Sequence, residues 1–315
     1  MLLLLSFALP LAILGFGLNG DDDEEEVVEQ EGTEEGDRLE GTEGSDFIDG
    51  LEGDDVMNGR AGNDTIFGRD GDDILQGEDG DDMLCSGDGD DFVTGNVGQD
   101  LIEGQGGDDF VSGDYGFDTV NGDEGNDTVV GGRGGDMVNG GEGDDLVFGG
   151  ILEGLPLNLD QMTALRDGAS MYDVTDGIDM RDDSVGNTLS GGAGDDNLIL
   201  GSGDIADGNE GADTFHIMSE QNGTMAPTIV NFELDTDALT IIVDDVDTDL
   251  EVSVTDEAGD SVIRLGDNVL ARVTGTAGSI TAADVTLISE AEVETLFDPN
   301  PVVIAPAVAP AATVS

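Results

Sequence analysis

The chain repeats itself every nine residues from Gly36 to Gly150, and that period decides most of what it can fold into. In register it reads SDFIDGLEG (45–53), DDVMNGRAG (54–62), NDTIFGRDG (63–71) and DDILQGEDG (72–80). Twelve complete units run from Gly36 to Gly143, and a partial unit, DDLVFGG, follows from Asp144. The second position is Asp throughout, the fourth is aliphatic or Met, the sixth is Gly except at Ser86, and the ninth is Gly in every complete unit. Random low complexity does not hold these positions in phase for so long.

Nine residues are too few for a helical repeat and suit a short strand plus a tight turn. Positions 3 to 5, such as Phe47-Ile48-Asp49 and Ile74-Leu75-Gln76, have a strand-like apolar centre. The glycines and acids between them are turn chemistry, because glycine tolerates positive φ. Two units then make one coil of 18 residues with a strand on each side. Fourth-position side chains stack inward, and about six coils spaced ~4.8 Å apart give a rod about 30 Å long. The expected fold class is all-β: a parallel β-roll of 18-residue coils over 36–150, with a C-terminal antiparallel β cap.

Stacking sets each second-position Asp beside the one 18 residues later: Asp46 near Asp64 and Asp82, Asp55 near Asp73 and Asp91. Bare carboxylates roughly 5 Å apart repel one another. The whole chain shares the problem, with 8 Lys+Arg against 74 Asp+Glu and a net charge of −66. That charge excludes nucleic acid as a partner, which needs a positive face. Few aromatics and so much acid would ordinarily mean disorder, unless divalent cations neutralise the carboxylates. Oxygen-only sites of carboxylates and turn carbonyls suit Ca²⁺ better than Mg²⁺, which demands a tighter, hydrated octahedron. The expected ligands for multiple Ca²⁺ are Asp37, Asp46, Asp55, Asp64, Asp73, Asp82, Asp91, Asp100, Asp109, Asp118, Asp127, Asp136 and Asp145. Cys85 stands alone, so no intrachain disulfide can substitute for the ions.

The units resemble the calcium-binding nonapeptide repeats of RTX (hemolysin-type) proteins, G-G-x-G-x-D-x-U-x. Gly131-Gly132-Arg133-Gly134-Gly135-Asp136-Met137-Val138 and Gly140-Gly141-Glu142-Gly143-Asp144-Asp145-Leu146-Val147 match in full. The resemblance implies calcium held between coils by the second-position Asp series and turn carbonyls. Leu51, Arg60, Arg69 and Gln105 replace the second Gly of the motif and Ser86 a first Gly, so weaker sites are expected there.

Outside the array the chain divides further. Residues 2–18, LLLLSFALPLAILGFGL, form an uncharged apolar run that reads as a signal or anchor (1–18) and a candidate membrane contact, or as a buried N-terminal segment. An acidic linker without structure is expected over 19–35. Residues 151–185 break the period, and Asn158-Leu-Asp-Gln161 reads as a capping box opening a short helix through Leu165. Degenerate repeats return over 186–213, with Asp196 as a further calcium ligand and Asp213 a less regular match. Residues 214–298 turn to Val, Ile and Thr, with strands expected over 228–232, 239–243, 250–255, 262–265 and 269–273 and a turn at Gly266-Asp267-Asn268. Gly211-Ala-Asp-Thr-Phe215 and Ile229-Val-Asn-Phe232 resemble the C-terminal end of serralysin-like proteins. His216 reads as a cap-strand residue, and 299–315 as a Pro/Ala-rich flexible tail.

Two outward positions complete the reading. Val56, Ile74, Phe92 and Phe110 would stand in one apolar row on the face of one sheet, either to dock against the C-terminal segment or a partner, or as plain strand formers. Cys85, at an outward fifth position, reads as a bystander thiol. Together these features predict a secreted or cell-surface bacterial calcium-binding protein, not an enzyme, whose roll folds as calcium fills it outside the cell. No H-E-x-x-H or G-x-S-x-G occurs. The alternatives are an adhesive or ice-binding roll, or the non-catalytic module of a secreted hydrolase; a protein or cell-surface partner stays unidentified.

Overall fold

A computed structural model describes residues 28–297, apart from 153–154, 167–168, 170–179, 222, 224 and 244–250. The N-terminal apolar run and the Pro/Ala-rich tail lie outside the described residues. The chain winds as an all-β parallel solenoid of about ten coils with two long sheets. Strands alternate between them. Phe47–Glu52, Thr65–Asp70, Met83–Asp88 and Leu101–Gly106 run along one sheet; Val56–Ala61, Ile74–Asp79, Phe92–Gly98 and Phe110–Gly116 run along the other. The register is one coil: Ile48 pairs with Ile66, Ile66 with Leu84, Leu75 with Val93 and Val93 with Val111.

The pleat explains why this register is unique. A slip of one residue would turn every fourth-position side chain outward. As built, Ile48, Met57, Ile66, Leu75, Leu84, Val93, Ile102 and Val111 are all fully buried in one continuous spine between the sheets. Each removes an aliphatic side chain from water, about 1.5–3 kcal/mol apiece. A second apolar layer, running from Ile74 and Phe92 to Ile199 and Ile242, lies on the outer face of one sheet, so the spine stabilises the rod together with that layer and the turns.

Two boundaries differ from the sequence expectation. The acidic linker is shorter, because Glu29–Glu31 is a strand parallel to Phe47–Glu52. The insertion leaves and re-enters without changing phase: Met137 pairs with Thr188 and Val147 with Leu198. The roll also continues past residue 213. Thr214–Met218, Ala238–Val243 and Val285–Ser289 extend one sheet in parallel, and only Val252–Glu257, Asp260–Leu265 and Asn268–Val273 form a small antiparallel sheet at the C-terminal end.

The row Val56–Ile74–Phe92–Phe110 is covered by the chain itself. The helix Leu159–Arg166 brings Met162 and Leu165 onto this face, together with Leu157, and the C-terminal helices bring Val293 and Phe297. Asn158 caps the first helix: its Oδ1 accepts from the amides of Asp160 (3.0 Å) and Gln161 (3.1 Å), and Gln161 Oε1 accepts from the amide of Asn158 (3.0 Å). Gln76 Nε2 donates to the Leu157 carbonyl at 2.8 Å, and Phe148 meets Phe297 edge-on at 6.2 Å. Phe92 and Phe110 stack at 6.0 Å beneath this layer. Among the described residues nothing covers the opposite face in this way, and Phe47, Met83, Met137 and Ile205 are exposed there.

Cys85 is a free thiol at its outward fifth position, but it is not exposed. It is buried, with its Sγ 3.5 Å from Glu103 Oε2, and burial first, then that carboxylate, pushes the thiol up to about 12. His216 lies buried in Thr214–Met218, between Thr240 Oγ1 (2.7 Å from Nδ1) and Asn197 Oδ1 (3.1 Å from Nε2). Loss of water lowers it to about 4, so it is neutral near pH 7.

Candidate metal centre

Each second-position Asp sits where a turn enters a strand. Its backbone amide donates to Oδ1 of the Asp one coil further on: Asp64 to Asp82 (2.8 Å), Asp82 to Asp100 (2.8 Å), Asp73 to Asp91 (2.7 Å) and Asp91 to Asp109 (2.8 Å). Two rows result. Asp46, Asp64, Asp82, Asp100, Asp118 and Asp136 follow one side of the roll. Asp37, Asp55, Asp73, Asp91, Asp109, Asp127, Asp145 and Asp196 follow the other.

The second carboxylate oxygen has a different fate. Oδ2 of Asp55, Asp64, Asp73, Asp82, Asp91, Asp100, Asp109, Asp118, Asp127, Asp136, Asp145 and Asp196 is buried with no hydrogen-bond partner among the described residues. Proteins seldom bury so many acceptors unpaired, because each costs the full loss of hydration. Asp37 and Asp46 are the two expected ligands that do not share this state. At the N-terminal end Thr33 and Thr42 stand in the turn, and their amides donate to Oδ2 of Asp37 (2.7 Å) and of Asp46.

The sixth-position glycines show where the free oxygens point. A Cβ on Gly50, Gly59 or Gly68 would lie 2.2 Å from Oδ2 of Asp55, Asp64 or Asp73. The carbonyl oxygen of the next coil approaches the same three points: Gly68 O at 2.9 Å, Gly77 O at 3.0 Å and Ser86 O at 2.3 Å. A side chain there would displace the carboxylate, so only its absence lets an anionic oxygen and a backbone carbonyl converge. Ser86 is the exception, and its Oγ donates to the Gly104 carbonyl at 2.8 Å. The seventh position needs a left-handed backbone instead. Leu51, Arg60, Arg69 and Gln105 adopt φ of 81°, 79°, 94° and 80° there, at a cost of about 1–2 kcal/mol each that glycine avoids.

Burial and crowding set the charge state. Loss of water is the largest cause at every one of these groups, with neighbouring carboxylates adding to it at most. Together they push Asp55, Asp64, Asp118 and Asp145 up to about 6 and Asp82, Asp91, Asp127, Asp136 and Asp196 to about 7. Asp73 and Asp100 rise to about 8 and Asp109 to about 9. Such groups call for a proton or a cation. The donors suit a hard cation: every nearby ligand atom is oxygen, and the free Oδ2 lies next to backbone carbonyls. No group of three or more His, Cys, Asp or Glu side chains converges among the described residues. A bound ion would therefore take a large share of its oxygens from the backbone.

Sequence reading missed three parts of this arrangement. Asn187 takes the place of an Asp after the insertion, accepting from the Asp136 amide at 2.8 Å through Oδ1. Asp204 follows it in the same row, accepting from the Asn187 amide at 2.8 Å, and burial pushes it up to about 7. A shortened turn hides it, since the step from Asn187 to Asp204 is 17 residues and not 18. The signal was Asp204-Ile205-Ala206-Asp207-Gly208, which keeps the spacing of Asp to Gly. The third is an exposed first-position row: the amides of Asp90, Asp108 and Asn126 donate to Oδ1 of Asp72 (3.1 Å), Asp90 (3.0 Å) and Asp108 (2.8 Å). Asp213 closes the inner row, its amide meeting Asp237 Oδ1 at 3.3 Å.

A roll of 18-residue coils with oxygen-only turns defines a calcium-binding class of β-solenoid. Residues 31–66, 59–93, 86–120, 121–151 and 186–204 match the family model of the RTX calcium-binding nonapeptide repeat. The chain thus carries an RTX repeat region that forms a β-roll, and the family implies Ca²⁺ as its ligand. The model stops at residue 204 and does not reach the strands that resemble serralysin-like ends. No curated protein matches this chain.

Proposed function

We propose that this is a secreted or cell-surface, non-catalytic calcium-binding protein whose roll folds as calcium enters its turns outside the cell. The observation that carries the reading is the pair of rows of buried, unpartnered Oδ2 atoms, most of them beside a convergent backbone carbonyl. With a net charge of −66 the chain repels itself until cations arrive. In a cytosol poor in calcium the rows oppose folding; outside, at roughly 10⁻⁴–10⁻³ M, the ion and the fold stabilise each other. Asp55, Asp64, Asp73, Asp82, Asp91, Asp100, Asp109, Asp118, Asp127, Asp136, Asp145 and Asp196 would hold the ions, with Asp37 and Asp46 closing the N-terminal coils. Bound calcium supplies counter-charge and coordination; the chain supplies the stacked strands that bring each carboxylate to its carbonyl.

The absence of catalysis is supported by the state of the two side chains most suited to it. His216 is buried and neutral between Thr240 and Asn197, and Cys85 is buried with its thiol pushed up to about 12. Among the described residues no helix is long and apolar enough to cross a membrane. Circular dichroism of the whole chain tests the reading: adding Ca²⁺ at pH 8 should produce a sharp, cooperative gain of β-structure that a chelator reverses. Identical spectra in calcium and in chelator would refute it.

A further inference from the structure

One buried carboxylate belongs to neither row. Asp114 stands at the seventh position of its unit with φ 71°, in a strand of the covered sheet. It is only 4 % exposed. Oδ1 accepts from Ser112 Oγ at 2.8 Å, but Oδ2 has no partner among the described residues. It lines a cavity of about 200 Å³ between the roll and the start of the insertion. Ile151, Leu152 and Leu155 supply apolar walls, and Tyr115 and Arg133 stand at the rim. The exposed Arg133 does not satisfy the acid: its guanidinium lies over the Tyr115 ring, 5.2 Å from the centroid, and no ion pair joins it to Asp114.

The chemistry of this cavity narrows its ligand. Ca²⁺ needs six to eight oxygens and other divalent metals several ligands each, whereas one carboxylate faces three aliphatic side chains here. An orphan acceptor calls for an N–H donor, and apolar walls call for a short hydrocarbon. The volume is below that of sites for drug-sized molecules, which suits a ligand of a few heavy atoms. We propose that this cavity binds a primary ammonium group carrying a short alkyl chain, with Asp114 Oδ2 accepting from the ammonium. The site requires the roll to be folded, not any particular ion in the turns.

The test uses the full chain loaded with calcium, its fold verified by circular dichroism, and titrated with n-butylammonium chloride by calorimetry and amide NMR. Saturable binding in the millimolar range is expected, with the largest shifts at the lining residues Asp114, Tyr115, Gly132, Arg133, Ile151 and Leu152. Asp114→Asn should weaken it by about tenfold or more, the loss of a charged hydrogen bond. Arg133→Gln should tighten it a few-fold, because it removes the neighbouring cation while leaving the cavity. Tetramethylammonium has the charge but no N–H donor, and should bind far more weakly. No saturation, equal binding of both cations, undiminished binding by a folded Asp114→Asn, or an Arg133→Gln protein that binds no better would each overturn the proposal. Should Asp114→Asn fail to fold, the Arg133→Gln comparison decides.

Discussion

Two rows of acids run side by side along each turn region, one residue apart in the sequence, and they live in different physical worlds. Asp108 is exposed; Asp109, next to it, is 3 % exposed. The outer carboxylate accepts an amide hydrogen bond in water, whereas the inner one spends a single oxygen on an amide and buries the other unpaired. The repeat makes both rows regular. Only the inner row couples the charge of the chain to its fold, because a charge matters most where water cannot screen it.

The largest expected effect separates the rows by pH. The inner carboxyls are raised from 3.8 to between about 6 and about 9 in the roll, so their protonated forms favour the folded state. Their contribution without calcium is fully present below about pH 4 and is lost as pH rises through 6 to 9. In chelator, circular dichroism should therefore show β-structure at pH 4 that melts away across that window. A transition centred near pH 4 would mean that exposed carboxylates govern it and would erase the distinction. With calcium present the protons compete, so the calcium midpoint should climb as pH falls below about 7.

A paired substitution is the next sharpest probe. Asp109→Asn keeps the acceptor for the Asp91 amide but removes a charged ligand, and should cost about 2–3 kcal/mol in saturating calcium. Asp108→Asn changes the net charge identically and should stay within about 0.5 kcal/mol. Thermal unfolding of the two proteins in the same buffer measures the contrast, and equal losses would break it. The smallest effect concerns the backbone that carries the rows. Leu51 holds φ 81°, and Leu51→Gly should raise stability by about 1 kcal/mol in calcium, read from the shift in denaturation midpoint. A loss would show that the Leu side chain contributes more than the strain removes.

The site was largely legible because it is local and periodic. A sixth-position Gly and the second-position Asp of the following unit lie five residues apart, as Gly50 and Asp55 do, so the turn that brings them together is written in the sequence at every repeat. Legibility failed where phase failed. Asp204 escaped because one residue is missing from the turn before it, and Asn187 because a carboxamide replaces the acid at the re-entry of the chain. The protected state of Asp37 and Asp46 was also hidden, since it depends on Thr33 and Thr42 standing at the end of the stack. No period marks an end.

The apolar row Val56–Ile74–Phe92–Phe110 could be read from the sequence as a surface that wants a cover, but not what covers it. Met162, Leu165, Val293 and Phe297 come from distant segments with no repeat to place them. The burial of Cys85 was hidden for a related reason: an outward position is exposed only if its neighbours are short, and Glu103 one coil away is not. By itself the sequence determined the coil, the inward spine and the rows of Asp, because a strict nine-residue period allows one register and burial punishes every other. Which oxygens lose their water, which face is sealed and where the parallel stack ends were decided only in three dimensions, because those depend on contacts between residues that the period does not relate.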